Sequence, residues 1–269
     1  MKSKVVIKLG GASLQNFGTL QELVALIRKF RAKECDVVLV HGGGPAINQE
    51  LTRRGIEWQF INGQRRTTLE MMEVINKVLA GDINKMLVSV LKTADIPAVS
   101  LSGAAQYILK CTRSSEELLQ VGSIEKVYAD VICEVLCRED SPVPVIAPIG
   151  FGSDGEKYNI NADWAAVKIA IALKADQVIF LTDQNGILDQ NKQLIAIATP
   201  ALIHELISRQ VIFGGMYTKA MTMLAGLEAG IQNVRVQNAG FASQLADGVN
   251  LGTLLVDETD VGGCNSYTN

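Results

Sequence analysis

Six short apolar segments rich in Val and Ile alternate with longer amphipathic stretches, and this alternation restricts the chain more than any other feature. The segments are KVVIKL (4–9), DVVLVH (36–41), IPAVSL (96–101), PVPVIAPI (142–149), DQVIFLT (176–182) and NVRVQN (233–238). Their length and composition are those of strands buried on both faces. Between them run the helical patterns TLQELVALIRKFRAK (19–33), TTLEMMEVINKVLAG (67–81), NADWAAVKIAIALKA (161–175) and MYTKAMTMLAGLEAG (216–230). Strands in series with crossover helices make parallel neighbours. The expected fold is therefore α/β, an open, mostly parallel sheet covered by helices on both faces, a three-layer sandwich of two lobes.

Charge narrows the partners. The chain has 269 residues, 20% of them charged, and a net charge of −3, with no basic cluster to hold a nucleic-acid backbone or an anionic membrane surface. Neither nucleic acid nor membrane is an expected partner. Apolar runs fall short of a bilayer span and strand-like sequence begins at once, which leaves no room for a signal peptide, so the expected location is cytoplasmic. The five cysteines are scattered without a CxxC pair, and are expected to be reduced and mostly in the core. His41 and His204 have no ligands at metal spacing, so no protein-held metal is expected.

Ligands of open α/β sheets bind at the carboxyl ends of the strands, and glycines collect there. Segment 4–9 runs into Gly10 and Gly11, segment 36–41 into HGGGP (41–45), and segment 176–182 into TDQNGILD (182–189). In HGGGP the proline suits the first helical turn, so the glycines lead to a helix N-terminus whose free N–H groups and positive dipole face an anion. Lys8 ends its strand beside these glycines. By itself it could lay its methylenes along apolar surface and reach water; beside an anion site it supplies a point charge. GFGSDG (150–155) matches the dinucleotide fingerprint GxGxxG, but the polar EKYNIN comes after it instead of a helix, and Asp154-Gly155 reads as a hairpin turn. No GxxxxGK motif ending in Ser or Thr occurs, so the chain is not a P-loop nucleotidase.

KLGG, HGGGP, NGQRRT (62–67), LAGDINK (79–85), YNINAD (158–163), LTDQNGILD (181–189) and GGMYTKA (214–220), in this order, resemble the amino acid kinase family over nearly the whole chain to Val256. The resemblance is strongest to members that phosphorylate the side-chain carboxylate of an N-acylated glutamate with ATP, in arginine synthesis. It implies that Lys8 and Lys219 neutralise the migrating phosphoryl group while Asp163 lies between them and orients both. Asp163 could equally be an acid favoured by a helix start, and the two roles are compatible. No general base is required, because the attacking carboxylate is already ionised at neutral pH.

The resemblance further implies that Arg65 and Asn159 hold the α-carboxylate of the substrate with Gly43 and Gly44. Gly10 and Gly11 would give backbone donors to the phosphoryl group. ATP would rest on Asp183, Gln184, Asn185, Gly186, Ile187 and Leu188 and on Val211, Ile212 and Phe213, with Mg2+ carried mainly by its phosphates. Residues 1–175 become an N-terminal lobe for substrate and dimerisation, 176–257 a nucleotide lobe, and 258–269 a flexible tail. The doublet Arg65-Arg66, the segment 101–111 and Trp164 depart from the family's usual residues. They leave the acyl group open between acetyl and succinyl, and the backbone between glutamate and aminoadipate; a catalytically silent module of the same fold is the other class. The pattern over Thr67–Thr93 carries a wide apolar stripe that includes Met71, Met72, Ile75, Met86 and Val90, which invites a partner helix. The expected assembly is a homodimer. Hexameric, arginine-inhibited members of the family have a helix ahead of the first strand, and only Met1–Ser3 stand there in this sequence, so insensitivity to arginine is also expected.

Overall fold

The computed structural model describes residues 2–61 and 63–260. In chain order the strands are β1 Lys4–Leu9, β2 Asp36–His41, β3 Phe60–Ile61, β4 Gln64–Arg65, β5 Ala98–Ser102, β6 Leu109–Arg113 and β7 Gly122–Val127. They continue with β8 Val143–Ala147, β9 Ile149–Phe151, β10 Lys157–Asn159, β11 Gln177–Thr182, β12 Ile197–Ala198, β13 Asn233–Asn238 and β14 Thr253–Leu255. The helices are α1 Phe17–Ala32, α2 Gly44–Arg53, α3 Leu69–Asn76, α4 Asn84–Thr93, α5 Asp130–Leu136, α6 Ala162–Leu173, α7 Pro200–Ser208, α8 Gly214–Glu228 and α9 Ala242–Leu245.

The main sheet has eight strands in the order β12-β14-β13-β11-β1-β2-β8-β5, parallel throughout except where β14 runs against β13. Side chains alternate across it. Val5, Ile7 and Leu9 enter one core with Leu39, Ile179 and helices α1, α3 and α4, whereas Val6 enters the other with Val38, Phe180 and helices α6 and α8. This parity places Lys8 on the face of α6 and α8. Because β1 pairs with β2 on one side and β11 on the other, the glycine loops after all three strands meet at one edge.

The GFGSDG segment is the expected hairpin: β9 pairs antiparallel with β10 across a turn in which Gly155 has φ 81°. It belongs to a second, four-stranded sheet, β10-β9-β6-β7, that the sequence pattern did not announce. Several helix starts are capped by side chains the sequence supplies. Asn16 accepts from Gly18 and Thr19, and Thr68 from Met71; each such cap is worth about 1 kcal/mol.

Two expectations need correction. The apolar stripe over 67–93 is largely consumed within the chain, because α3 and α4 are joined by a π-helical segment, Lys77–Ile83. Its extra residue rotates the apolar face, so that Met71, Met72, Val74, Ile75, Leu79, Ile83 and Leu87 are all buried, while Met86, Val88 and Val90 stay half-buried and Leu69 is exposed. Of the cysteines, Cys111 is buried and Cys35 half-buried, but Cys133 and Cys137 lie exposed on and after α5. At the start of the expected tail, Glu258–Asp260 form a 3-10 turn in which Glu258 accepts the Ala201 N–H at 2.9 Å; the rest of the expected tail lies outside the described residues. Among the described residues, no helix is long and apolar enough to cross a membrane.

Candidate active site

The site begins with three charges. Lys8 projects from β1, Asp163 from the first turn of α6, and Lys219 from α8. Asn161 caps α6, accepting from the N–H groups of Asp163 and Trp164, and so fixes where the carboxylate points. Lys8 Nζ lies 2.8 Å from Asp163 Oδ1 as an ion pair off the hydrogen-bond direction, and Lys219 Nζ donates to Asp163 Oδ2 at 3.2 Å. Lys8 is 6% exposed and Asp163 5% exposed, so neither charge is held by water. Burial alone would raise the Asp163 carboxyl, but the charges of Lys8 and Lys219 outweigh it and hold the group below the usual carboxylate range. Burial lowers the Lys8 ammonium; Lys219 adds to this, and the attraction of Asp163 offsets only part of it. One carboxylate thus keeps two cations together, and one of those cations is poised to gain from any further negative charge.

These groups open on a cavity of about 410 Å3 whose walls include Lys8, Gly11, Gly43, Gly44, Arg65, Asn159, Asp163 and Lys219. Gly43 and Gly44 start α2, whose N-terminus faces it. Gly11 can only be glycine: a Cβ there would lie 2.8 Å from Gly44 N and 2.9 Å from Gly43 N. Gly10 donates its N–H to Leu181 O at 2.9 Å, which ties β1 to β11, and stands behind the cavity wall.

Arg65 comes from the β3–β4 hairpin and is 5% exposed. Its guanidinium sits 4.8 Å from the Phe60 ring and 5.2 Å from that of Trp58, and Nη2 donates to Asn48 Oδ1 and, at 3.5 Å, to Gly44 O. Nη1 has no partner, and burial pushes the group down to about 10. A buried guanidinium with a spare donor in a cavity wall is suited to a carboxylate. Asn159 stands nearby and donates to Thr67 Oγ1 at 3.2 Å, and Thr67 in turn donates to the Arg65 carbonyl at 2.8 Å.

The residues expected to hold nucleotide divide. Asp183, Gln184 and Asn185 are exposed at the end of β11, and Asp183 is near enough for its charge to raise Lys8. Phe213 is 73% exposed and leads into α8. Ile187 and Ile212 have their side chains in the core beneath that surface, and the Ile187 N–H donates to Thr253 Oγ1 at 2.8 Å. Gly186 is buried against Thr253, while Leu188 and Val211 are half-buried beside them. Sequence reasoning does not reach Asn48, Phe60 and Trp58. Asn48 had a legible signal, standing one helical turn beyond HGGGP on the face of its glycines.

The sequence profile of the amino acid kinase family matches residues 3–238. The chain belongs to the amino acid kinase family. An acetylglutamate kinase of Geobacillus sp. (strain WCH70) is 39% identical to it over 242 residues, 88% of this chain and 90% of that protein. One from Bacillus subtilis (strain 168) is 36% identical over 257 residues, 95% of this chain and 97% of that protein. Among solved structures, smu.665 from Streptococcus mutans UA159 superposes with a TM-score of 0.82 at 27% identity, covering 95% of this chain and 99% of that one. Carbamate kinase from Giardia lamblia, bound to citric acid, gives a TM-score of 0.66 at 16% identity over 96% of this chain and 99% of that one, a likeness of fold alone. The α/β sandwich is thus the fold this family shares.

Proposed function

We propose that this chain transfers the γ-phosphoryl group of ATP to the side-chain carboxylate of N-acetyl-L-glutamate, giving an acyl phosphate and ADP in arginine biosynthesis. The observation that carries this is the Lys8–Asp163–Lys219 bridge beside a cavity walled by Gly11, Gly43, Gly44 and Arg65. The acetylglutamate kinases among its relatives favour the acetyl substrate over the longer acyl groups.

A carboxylate oxygen of the substrate attacks the γ-phosphorus, and the bond from phosphorus to the oxygen bridging to the β-phosphate breaks, leaving that electron pair on ADP. Lys8 and Lys219 neutralise charge on the oxygens of the migrating group, the effect on which phosphoryl transfer depends most. Asp163 positions both cations and takes no proton. Arg65 and Asn159 hold the α-carboxylate, and the N–H groups of Gly43 and Gly44 orient the reacting end. Residues 1–175 serve the acyl amino acid and 176–257 the nucleotide, through Asp183–Leu188 and Val211–Phe213, with Asp183, Gln184, Asn185 and Phe213 at the surface and Ile187 and Ile212 packed beneath them. Mg2+ would enter with ATP and be held mainly through its phosphate oxygens. When bound it neutralises phosphate charge. The reading extends to a homodimer through the groove between α1 and α4, where Phe17 is 74% exposed beside Leu20, Val24 and Val90; light scattering that gives a monomer mass would reject this part.

The test is ADP release over a panel of N-acetylglutamate, N-succinylglutamate, N-acetylaminoadipate, aspartate, carbamate and UMP. N-acetylglutamate should give the highest kcat/KM. A higher value for any other acceptor would overturn the assignment.

A further inference from the structure

The π-helical segment that joins α3 to α4 presses directly on the glycine loop. A Cβ on Gly43 would lie 2.5 Å from Leu79 Cδ2 and 2.6 Å from Ile83 Cδ1, so the loop and the segment are in mutual contact. Segments of this kind recur at functional sites, where the added residue re-aims the next helical turn. That turn opens with Asn84, which is wholly buried. Its Nδ2 lies 2.8 Å from Val145 O, 3.2 Å from Leu101 O and 3.2 Å from His41 Nε2, while Oδ1 has no partner. Two carbonyl oxygens, which can only accept, converge on one amide nitrogen and fix its orientation: the NH2 end must face them, and so faces Nε2.

Asn84 therefore fixes His41. Nε2 accepts from the amide, so the ring proton belongs on Nδ1, which lies 2.9 Å from Gly42 O and donates to it. The peptide linking Gly42 to Gly43 is a rigid trans plane whose C=O and N–H point in opposite directions. Holding Gly42 O against His41 turns the Gly43 N–H to the opposite side of that peptide, and Gly43 N lies close to Gly11, which lines the cavity with it. His41 is wholly buried as well, and burial pushes it down to about 4, in keeping with a neutral ring.

We propose that Asn84 and His41 form a buried relay that aims the Gly43 N–H into the cavity, which makes Asn84 a positioning residue for phosphoryl transfer. The catalytic half of this rests on the kinase reading above; the structural half does not. Neither residue touches substrate. Asn84 acts through His41, and His41 through the Gly42 carbonyl.

Ring 15N spectra of histidine-labelled native protein test the structural half, with His204→Gln used to assign the two histidines. His41 should carry its proton on Nδ1 at neutral pH, and a proton on Nε2 overturns the relay outright. Kinetics test the catalytic half. Asn84→Leu should lower kcat by at least about tenfold with the KM for ATP within about threefold, the pattern of a misaimed transition-state donor. His41→Gln keeps a donor and an acceptor and should exceed His41→Leu in kcat by about fivefold or more. A folded Asn84→Leu with kcat within about twofold of native, or equal kcat in the two His41 variants, contradicts the proposal. Should Asn84→Leu fail to fold, the ring spectra and the His41 pair decide. If the native protein phosphorylates none of the panel, the kinase reading falls and the ring spectra alone decide the relay.

Discussion

At the scale of single residues, the proposed catalysis turns on two ammonium groups sharing one carboxylate. Lys8→Met and Lys219→Met should each lower kcat by roughly a thousandfold, the size of effect seen when a cation is taken from a phosphoryl-transfer transition state. Steady-state kinetics check this, and a variant that keeps more than about a third of native kcat removes that lysine from the mechanism. Asp163→Asn should lower kcat at least about a hundredfold and leave a folded protein. Without the carboxylate, Lys8, already lowered by burial, can shed its proton; this limits the cost to stability and removes the charge needed for transfer. Circular dichroism and kinetics on the same sample separate the outcomes: loss of fold, or normal turnover, would make Asp163 merely structural. Arg65→Ala should raise the KM for the acyl amino acid far more than that for ATP, and Arg66→Ala should do so weakly. Arg65 is the buried member of the doublet, stacked on Phe60 and facing the cavity, whereas Arg66 is half exposed. Reversed effects would move the carboxylate site by one residue.

At the scale of elements, β1, β2 and β13 were legible in the sequence to their end residues, because strands buried on both faces write continuous Val and Ile runs. The second sheet was not. β6 and β7 carry Lys110, Glu125 and Lys126 on a half-exposed surface, and β9 and β10 have three residues each, so no apolar period marks them. The charges of the site stand in legible motifs, and Asn48 is marked by its helical spacing from HGGGP; the pairing of Asn84 with His41 became readable only when tertiary contacts joined distant segments. The π segment also escaped, since an added helical residue leaves the composition unchanged and shifts only the face. His41 gives this level a pH signature. Its proton binds near 6.5 in the unfolded chain and near about 4 when folded. The unfolded state takes up more protons in that window, so the stabilisation is complete above about pH 6.5 and is lost as pH falls through about 4, a difference of roughly 3 kcal/mol. Urea unfolding at about pH 7 and about pH 4.5 should show the native protein losing more stability than His41→Gln; equal losses would mean that His41 is not held neutral.

At the scale of the whole molecule, one sheet would serve both halves of the proposed reaction. β1 brings Lys8 and β11 leads to Asp183, and the two strands are hydrogen-bonded neighbours, so the proposed acyl and nucleotide sides share a continuous backbone frame. Helices α6 and α8, packed on each other, carry Asp163 and Lys219 to the same face, where the two side chains meet. The most direct test of this arrangement is trapping the acyl phosphate with hydroxylamine during turnover of ATP and N-acetylglutamate, native protein against Lys8→Met. Hydroxamate and ADP should form in equal amounts with the native protein, and almost none of either with a Lys8→Met variant that still binds ATP. ADP formed without hydroxamate, or hydroxamate from Lys8→Met at a near-native rate, would contradict transfer through this site.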